Sequence, residues 1–124
     1  MQKLVFIVDD NDANLTVAAS ALEGEYRVLT MPSAKKMFSL LEKKKPDLIL
    51  LDVEMPEISG LEATARLKEN QQWKDIPILF LTGYCDEKLL SDAKSSGALE
   101  VIHKPFAPSE LLEKVNKYVS IQPR

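Results

Sequence analysis

The chain has 124 residues, within the usual range of one domain, and its 45% hydrophobic content is enough to fill one core, so a single domain over 1–124 is expected. A net charge of -3 argues against a general nucleic-acid or anionic-membrane surface, though not against a local patch. The single Cys85 cannot form an internal disulfide, the apolar run before Asp9 is too short for a signal peptide, and no apolar stretch approaches a membrane span, so the expectation is a cytoplasmic protein.

In chain order, Leu4 to Val8 is expected as a first strand running straight into Asp9 and Asp10. Leu15, Ala18, Ala19 and Leu22 follow the i, i+3, i+4, i+7 spacing of a helix, with Asp12 or Asn14 available to cap it and Gly24 following its end. Tyr26 to Thr30 reads as a second strand. Ala34, Met37, Phe38 and Leu41 mark a second helix, N-capped by Ser33 after Pro32. Leu48 to Leu51 is a third strand, and a helix with a thin apolar face is expected from about Leu61 to Glu69. Ile78 to Leu81 is a fourth strand, followed by a helix over Asp86 to Ser95 that Gly97 closes. Glu100 to His103 is a fifth strand, and Pro108 suits the first turn of a last helix. No internal repeat, linker or low-complexity stretch interrupts this order.

Strict alternation of strands and helices implies a parallel sheet, because right-handed crossovers lay each new strand beside an earlier one with helices on both faces. The first, third and fourth strands are apolar throughout, as central strands are. The expected fold is therefore α/β, a flavodoxin-like doubly wound five-stranded sheet of order 2-1-3-4-5. Ligands of such sheets bind outside the carboxyl ends of the strands.

The polar residues at those ends should converge. They are Asp9 and Asp10 after strand one, Asp52 after strand three, Thr82 after strand four and Lys104 after strand five. Carboxylates a few ångströms apart repel, costing on the order of a kcal/mol or more per pair at intermediate dielectric. Lys104 offsets one charge only. A hard divalent cation would resolve the rest, and Mg²⁺ is the usual choice where phosphate is also present. Taken singly, an Asp-Asp pair is more often a helix cap, a threonine a plain strand end, and Lys104-Pro105 a plain turn; their joint placement at strand ends points to a site.

The segments "VDDN", "LLDVEMPEISGLE", "LTGY" and "GALEVIHKPF" resemble the response-regulator receiver domain, over a core from about Lys3 to Val119. The resemblance implies a two-component signalling switch that catalyses only its own phosphoryl transfer and dephosphorylation. It implies Asp52 as phospho-acceptor, Asp10 as a direct Mg²⁺ ligand with Asp9 assisting through water, and the Glu54 main-chain carbonyl completing the metal site. It also implies Thr82 as switch hydroxyl, Lys104 as phosphoryl contact, a backbone N–H near Gly83 as donor and a cis peptide before Pro105. Glu54 and Tyr84 would border the path of attacking water and set the dephosphorylation rate. The implied partners are a histidine kinase or phosphotransfer domain and an output partner, with a homodimer through helix four, strand five and helix five as one mode of output. Nucleic-acid binding and membrane contact are not expected. Receivers commonly carry Tyr or Phe midway along strand five; Val101 stands there, with less volume to swing.

Other residues read as bystanders. His103 is expected on the surface, Lys43 to Lys45 at a helix C-terminus, Cys85 without chemistry, and Met31, Met37 and Met55 in packing. Trp73, in "ENQQWKDIP", reads as a packed lid residue, with a partner contact as the alternative. Two alternatives remain open. The receiver could be excised from a longer regulator carrying, for example, a cyclic-dinucleotide phosphodiesterase or hybrid-kinase module. A flavodoxin-like cofactor binder is disfavoured, because "DDND" repels phosphate without metal and neither GxxxxGK[ST] nor GxGxxG occurs.

Overall fold

Alternate residues of the apolar runs feed two separate cores on opposite faces of one sheet. In the computed structural model, which describes residues 2–83 and 86–119, the strands are β1 (Leu4–Val8), β2 (Arg27–Met31), β3 (Leu48–Asp52), β4 (Ile78–Thr82) and β5 (Glu100–His103). The helices are α1 (Asp12–Leu22), α2 (Ala34–Leu41), α3 (Gly60–Lys68), α4 (Glu87–Ser96) and α5 (Pro108–Val119). All strand pairs are parallel and the order is β2-β1-β3-β4-β5, as expected. Phe6, Val8, Ile49, Leu51, Ile78 and Phe80 face α2, α3 and α4. Their neighbours Val5, Ile7, Leu48, Leu50, Leu79 and Leu81 face α1 and α5. A period of two with both faces covered is what makes the central strands apolar throughout.

Several boundaries differ from the sequence-based expectation, each for a local reason. Asn11, not Asp12 or Asn14, caps α1, its side chain accepting the Asn14 N–H at 3.1 Å. Gly24 supplies no left-handed cap, since α1 ends through Glu23 in right-handed conformation; Gly97, at φ 103°, does close α4. Tyr26 lies outside β2. Its N–H returns to the Leu22 carbonyl at 2.9 Å and its hydroxyl donates to Asn116, tying the end of α1 to α5. Ser33 caps α2 as expected, Ser59 caps α3, and Asp86 caps α4 rather than joining it. Among the described residues no helix is long and apolar enough to cross a membrane.

β3 and β4 each run one residue further than their apolar stretches suggest. Asp52 pairs with Leu81, and Thr82 with His103. The ladder itself therefore fixes the two polar residues at the carboxyl edge.

Candidate functional site

The carboxyl ends of β1, β3 and β5 open on a cavity of about 630 Å³ whose lining includes Asp9, Asp10, Asp52, Glu54, Gly83, Lys104 and Pro105. Asp9 is completely buried, and both of its oxygens are engaged. Oδ1 accepts the Asn11 N–H at 2.9 Å, and Oδ2 accepts from Lys104 Nζ at 3.1 Å. Asp52 is 3% exposed; its Oδ1 accepts from Lys104 Nζ at 3.3 Å and from the Glu54 N–H at 3.3 Å. Asp10 is exposed at the rim, as is the Glu54 side chain. One ligand oxygen from each of Asp9, Asp10 and Asp52 can be chosen so that all lie within 4.8 Å of one another.

The electrostatics follow from this crowding. Burial, then the charge of Asp9, push the Asp52 carboxyl up to about 7, although the Lys104 charge and the hydrogen bonds from Lys104 and Glu54 oppose the rise. Burial works to lower Lys104, but Asp52 and Asp9 outweigh it and hold the ammonium above its ordinary value. One ammonium thus bridges two buried carboxylates while a third stands at the rim. An all-oxygen donor set with surplus negative charge fits a hard divalent cation such as Mg²⁺.

The backbone around this cluster is tightly built. The Lys104 N–H donates to the Thr82 carbonyl at 2.7 Å, joining β5 to the end of β4, and the Lys104–Pro105 peptide is cis. Thr82 is buried at its strand end and Gly83 borders the cavity. Gly60, at the start of α3, donates its N–H to the Val53 carbonyl at 2.8 Å. A Cβ there would lie 2.5 Å from the Asp52 carbonyl oxygen and 2.8 Å from the Val53 Cα. The loop leaving Asp52 turns tightly, with the Ile58 N–H returning to the Pro56 carbonyl at 2.8 Å and Glu57 at φ 68°.

Asp9, Asp10, Asp52, Glu54, Gly83, Lys104 and Pro105 therefore come together at one cavity; Thr82, expected to converge with them, stands at the adjoining strand end and is not among the lining residues. Val101 does not line the cavity; it pairs with Phe80 across the β4–β5 ladder and packs on the α2–α3–α4 core. Tyr84 and Cys85 lie outside the described residues. His103 is exposed, and Met31, Met37 and Met55 are buried. Sequence reasoning missed Asn11, whose turn holds Asp9; Asn14, which lines the cavity; and Gly60. The Asn residues directly follow the acidic pair, but their roles depend on where α1 begins. Gly60 could have been suspected from its place just beyond the capping Ser59.

Comparison with known proteins bears on the family and the fold. The family profile described as "Response regulator receiver domain" matches residues 5–116. A polar-differentiation response regulator, DivK, of Brucella ovis is 30% identical over 120 residues, covering 96% of this chain and 98% of that protein. The crystal structure of a response regulator from Thermotoga maritima superposes with a TM-score of 0.88 at 30% identity, covering 97% of this chain and 99% of the other. The receiver domain of a sensor histidine kinase from Pseudomonas aeruginosa, crystallised with magnesium ion coordinated in its active-site cleft, shares the fold. Its TM-score is 0.87 at 24% identity, with 97% and 99% of the two chains covered.

Proposed function

The chain belongs to the response-regulator receiver domain family of two-component signalling, and from the pocket it builds we propose that Asp52 accepts a phosphoryl group in a Mg²⁺-dependent reaction. The observation that carries this reading is Lys104 Nζ, set between two buried carboxylates at 3.1 and 3.3 Å. A carboxylate oxygen of Asp52 attacks phosphorus in line, and the bond from phosphorus to the donor breaks. With a phosphohistidine donor the imidazole departs, and the product is a mixed acyl phosphate on Asp52.

The chain's own residues position and neutralise. Lys104 follows the transferred group, exchanging part of its interaction with Asp52 for the new phosphoryl oxygens. The Thr82 hydroxyl and the Gly83 N–H donate hydrogen bonds to those oxygens. Asp10, Asp52 and the Glu54 carbonyl would hold Mg²⁺, with Asp9 acting through water; when bound, the ion supplies charge stabilisation at the phosphoryl group. The Glu54 side chain borders the approach of water and sets the lifetime of the acyl phosphate. Phosphorylation adds up to two charges at a defined spot. The output is a displacement of the segment after Thr82, which alters the face of α4, β5 and α5 toward an output partner or a second copy.

The donor in this reading is a histidine kinase or phosphotransfer domain. Incubation with acetyl phosphate and Mg²⁺, followed by intact mass measurement, tests the chemistry. One phosphoryl adduct is expected, absent in EDTA and absent in Asp52→Asn. An adduct at the wild-type level in Asp52→Asn removes Asp52 from its role.

A further inference from the structure

One face of α2 has no covering element. Lys35, Phe38 and the C-cap Glu42 stand at i, i+3 and i+7 along it and line a cavity of about 420 Å³ together with Arg66 of α3, Ile58 and Trp73. This span is about 11 Å, two helical turns. Phe38 belongs by spacing to the same apolar stripe as Ala34, Met37 and Leu41, but those three are buried and Phe38 is only partly so. Its ring is met by Trp73, centroids 5.8 Å apart at 37°, and Trp73 is itself half-buried. An aromatic pair open to solvent between two helices is an apolar floor of ligand-accepting size.

The segment that carries this wall is basic, although the wall itself sets Lys35 against Glu42. The chain carries -3 overall, yet residues 34–45 hold Lys35, Lys36 and the run Lys43 to Lys45 against Glu42 alone, all exposed. Arg66 is paired at 2.6 Å with Glu62 on its own helix. Among the described residues Lys35 makes no ion pair. A basic edge on an acidic protein, flanking a two-turn apolar floor, has the complement of an acidic amphipathic helix laid into a groove.

We propose that the α2–α3 groove is a docking site for an acidic amphipathic helix of a partner protein, its apolar anchors on Phe38, Trp73 and Ile58 and its carboxylates facing Lys35 and the lysines of α2. Ile58 belongs to the loop that leaves Asp52, so the occupant touches chain that frames the acidic pocket.

Trp73 is the only tryptophan of the chain, which makes its fluorescence a reporter of this groove alone. The wild-type protein is titrated with a stapled helical peptide carrying Leu at i, i+3, i+4 and i+7 and Glu elsewhere, and with the same peptide carrying Lys in place of Glu. The acidic peptide is expected to shift Trp73 emission saturably, at least roughly tenfold more tightly than the basic one, with affinity falling as salt rises. Lys35→Glu, an exposed substitution that leaves the fold intact, should weaken the acidic peptide by a similar factor. No saturable shift at millimolar peptide, or equal binding of both peptides, overturns the proposal. A shift with phosphatidylglycerol vesicles and none with the acidic peptide overturns it in favour of a membrane surface.

Discussion

Replacing Asp52 by Asn should stabilise the metal-free protein, and by an amount that depends on pH. The Asp52 carboxyl is pushed from 3.8 to about 7 by burial and by Asp9. A folded-state value raised above the unfolded one means that the folded protein holds this proton more tightly. The group therefore costs nothing below pH 4. It costs progressively more as pH rises through the window from about 4 to 7, and its full cost stands above 7. At about 1.4 kcal/mol per pH unit the gap corresponds to at most about 4 kcal/mol, so the expected gain is about 2–4 kcal/mol. Asn keeps the shape and can still accept the Glu54 N–H. Urea unfolding of wild type and Asp52→Asn in EDTA from pH 4.5 to 8.5 measures the difference directly. The two midpoints should nearly coincide at the acid end and diverge through pH 7, the variant being the more stable. A variant equal to or less stable than wild type at pH 8, or a gap that ignores pH, refutes the claim that carboxylate crowding strains this pocket.

Mg²⁺ should recover much of that cost in the wild type. At a concentration one hundred times its dissociation constant the expected gain is about 2.7 kcal/mol, seen as a rise in melting temperature, and Asp10→Ala should lose most of it. Gly60→Ala places a methyl group against the backbone of Asp52 and Val53, at 2.5 and 2.8 Å from the nearest atoms. It should cost about 2 kcal/mol in urea unfolding and slow adduct formation with acetyl phosphate, because the displaced backbone is that of the proposed acceptor. Val101→Tyr lies outside the acidic cavity. Its phosphorylation rate should stay close to wild type, while beryllofluoride-induced changes in amide hydrogen exchange on α4, β5 and α5 should grow.

The site was legible because buried parallel strands end abruptly. Leu4 to Val8, Leu48 to Leu51 and Ile78 to Leu81 are apolar without a break, so the first polar residue after each must stand at the carboxyl edge, and in a parallel sheet those edges share one side. What escaped depends on contacts between distant segments. Tyr26 reads as a strand residue until its hydroxyl finds Asn116 on α5. Gly60 stands unremarked before the helix expected from Leu61 until the Asp52 carbonyl is seen where a Cβ on it would lie. Phe38 has the spacing of a core residue, and only the arrangement of α2, α3 and Trp73 leaves it at an open edge. Cap identity is equally local and equally hidden, since three of the four residues from Asn11 to Asn14 can cap a helix and only the path of the chain after Asp10 selects Asn11.

The proposed acceptor can be read out chemically. An aspartyl phosphate is an acyl phosphate, and borohydride reduces it to homoserine while an unmodified aspartate is untouched. Wild-type protein phosphorylated with acetyl phosphate and Mg²⁺, reduced with borohydride and digested should show homoserine at position 52 and at no other aspartate. Homoserine at Asp9 or Asp10 instead, or none anywhere in protein that carries the phosphoryl mass, would contradict the assignment of Asp52.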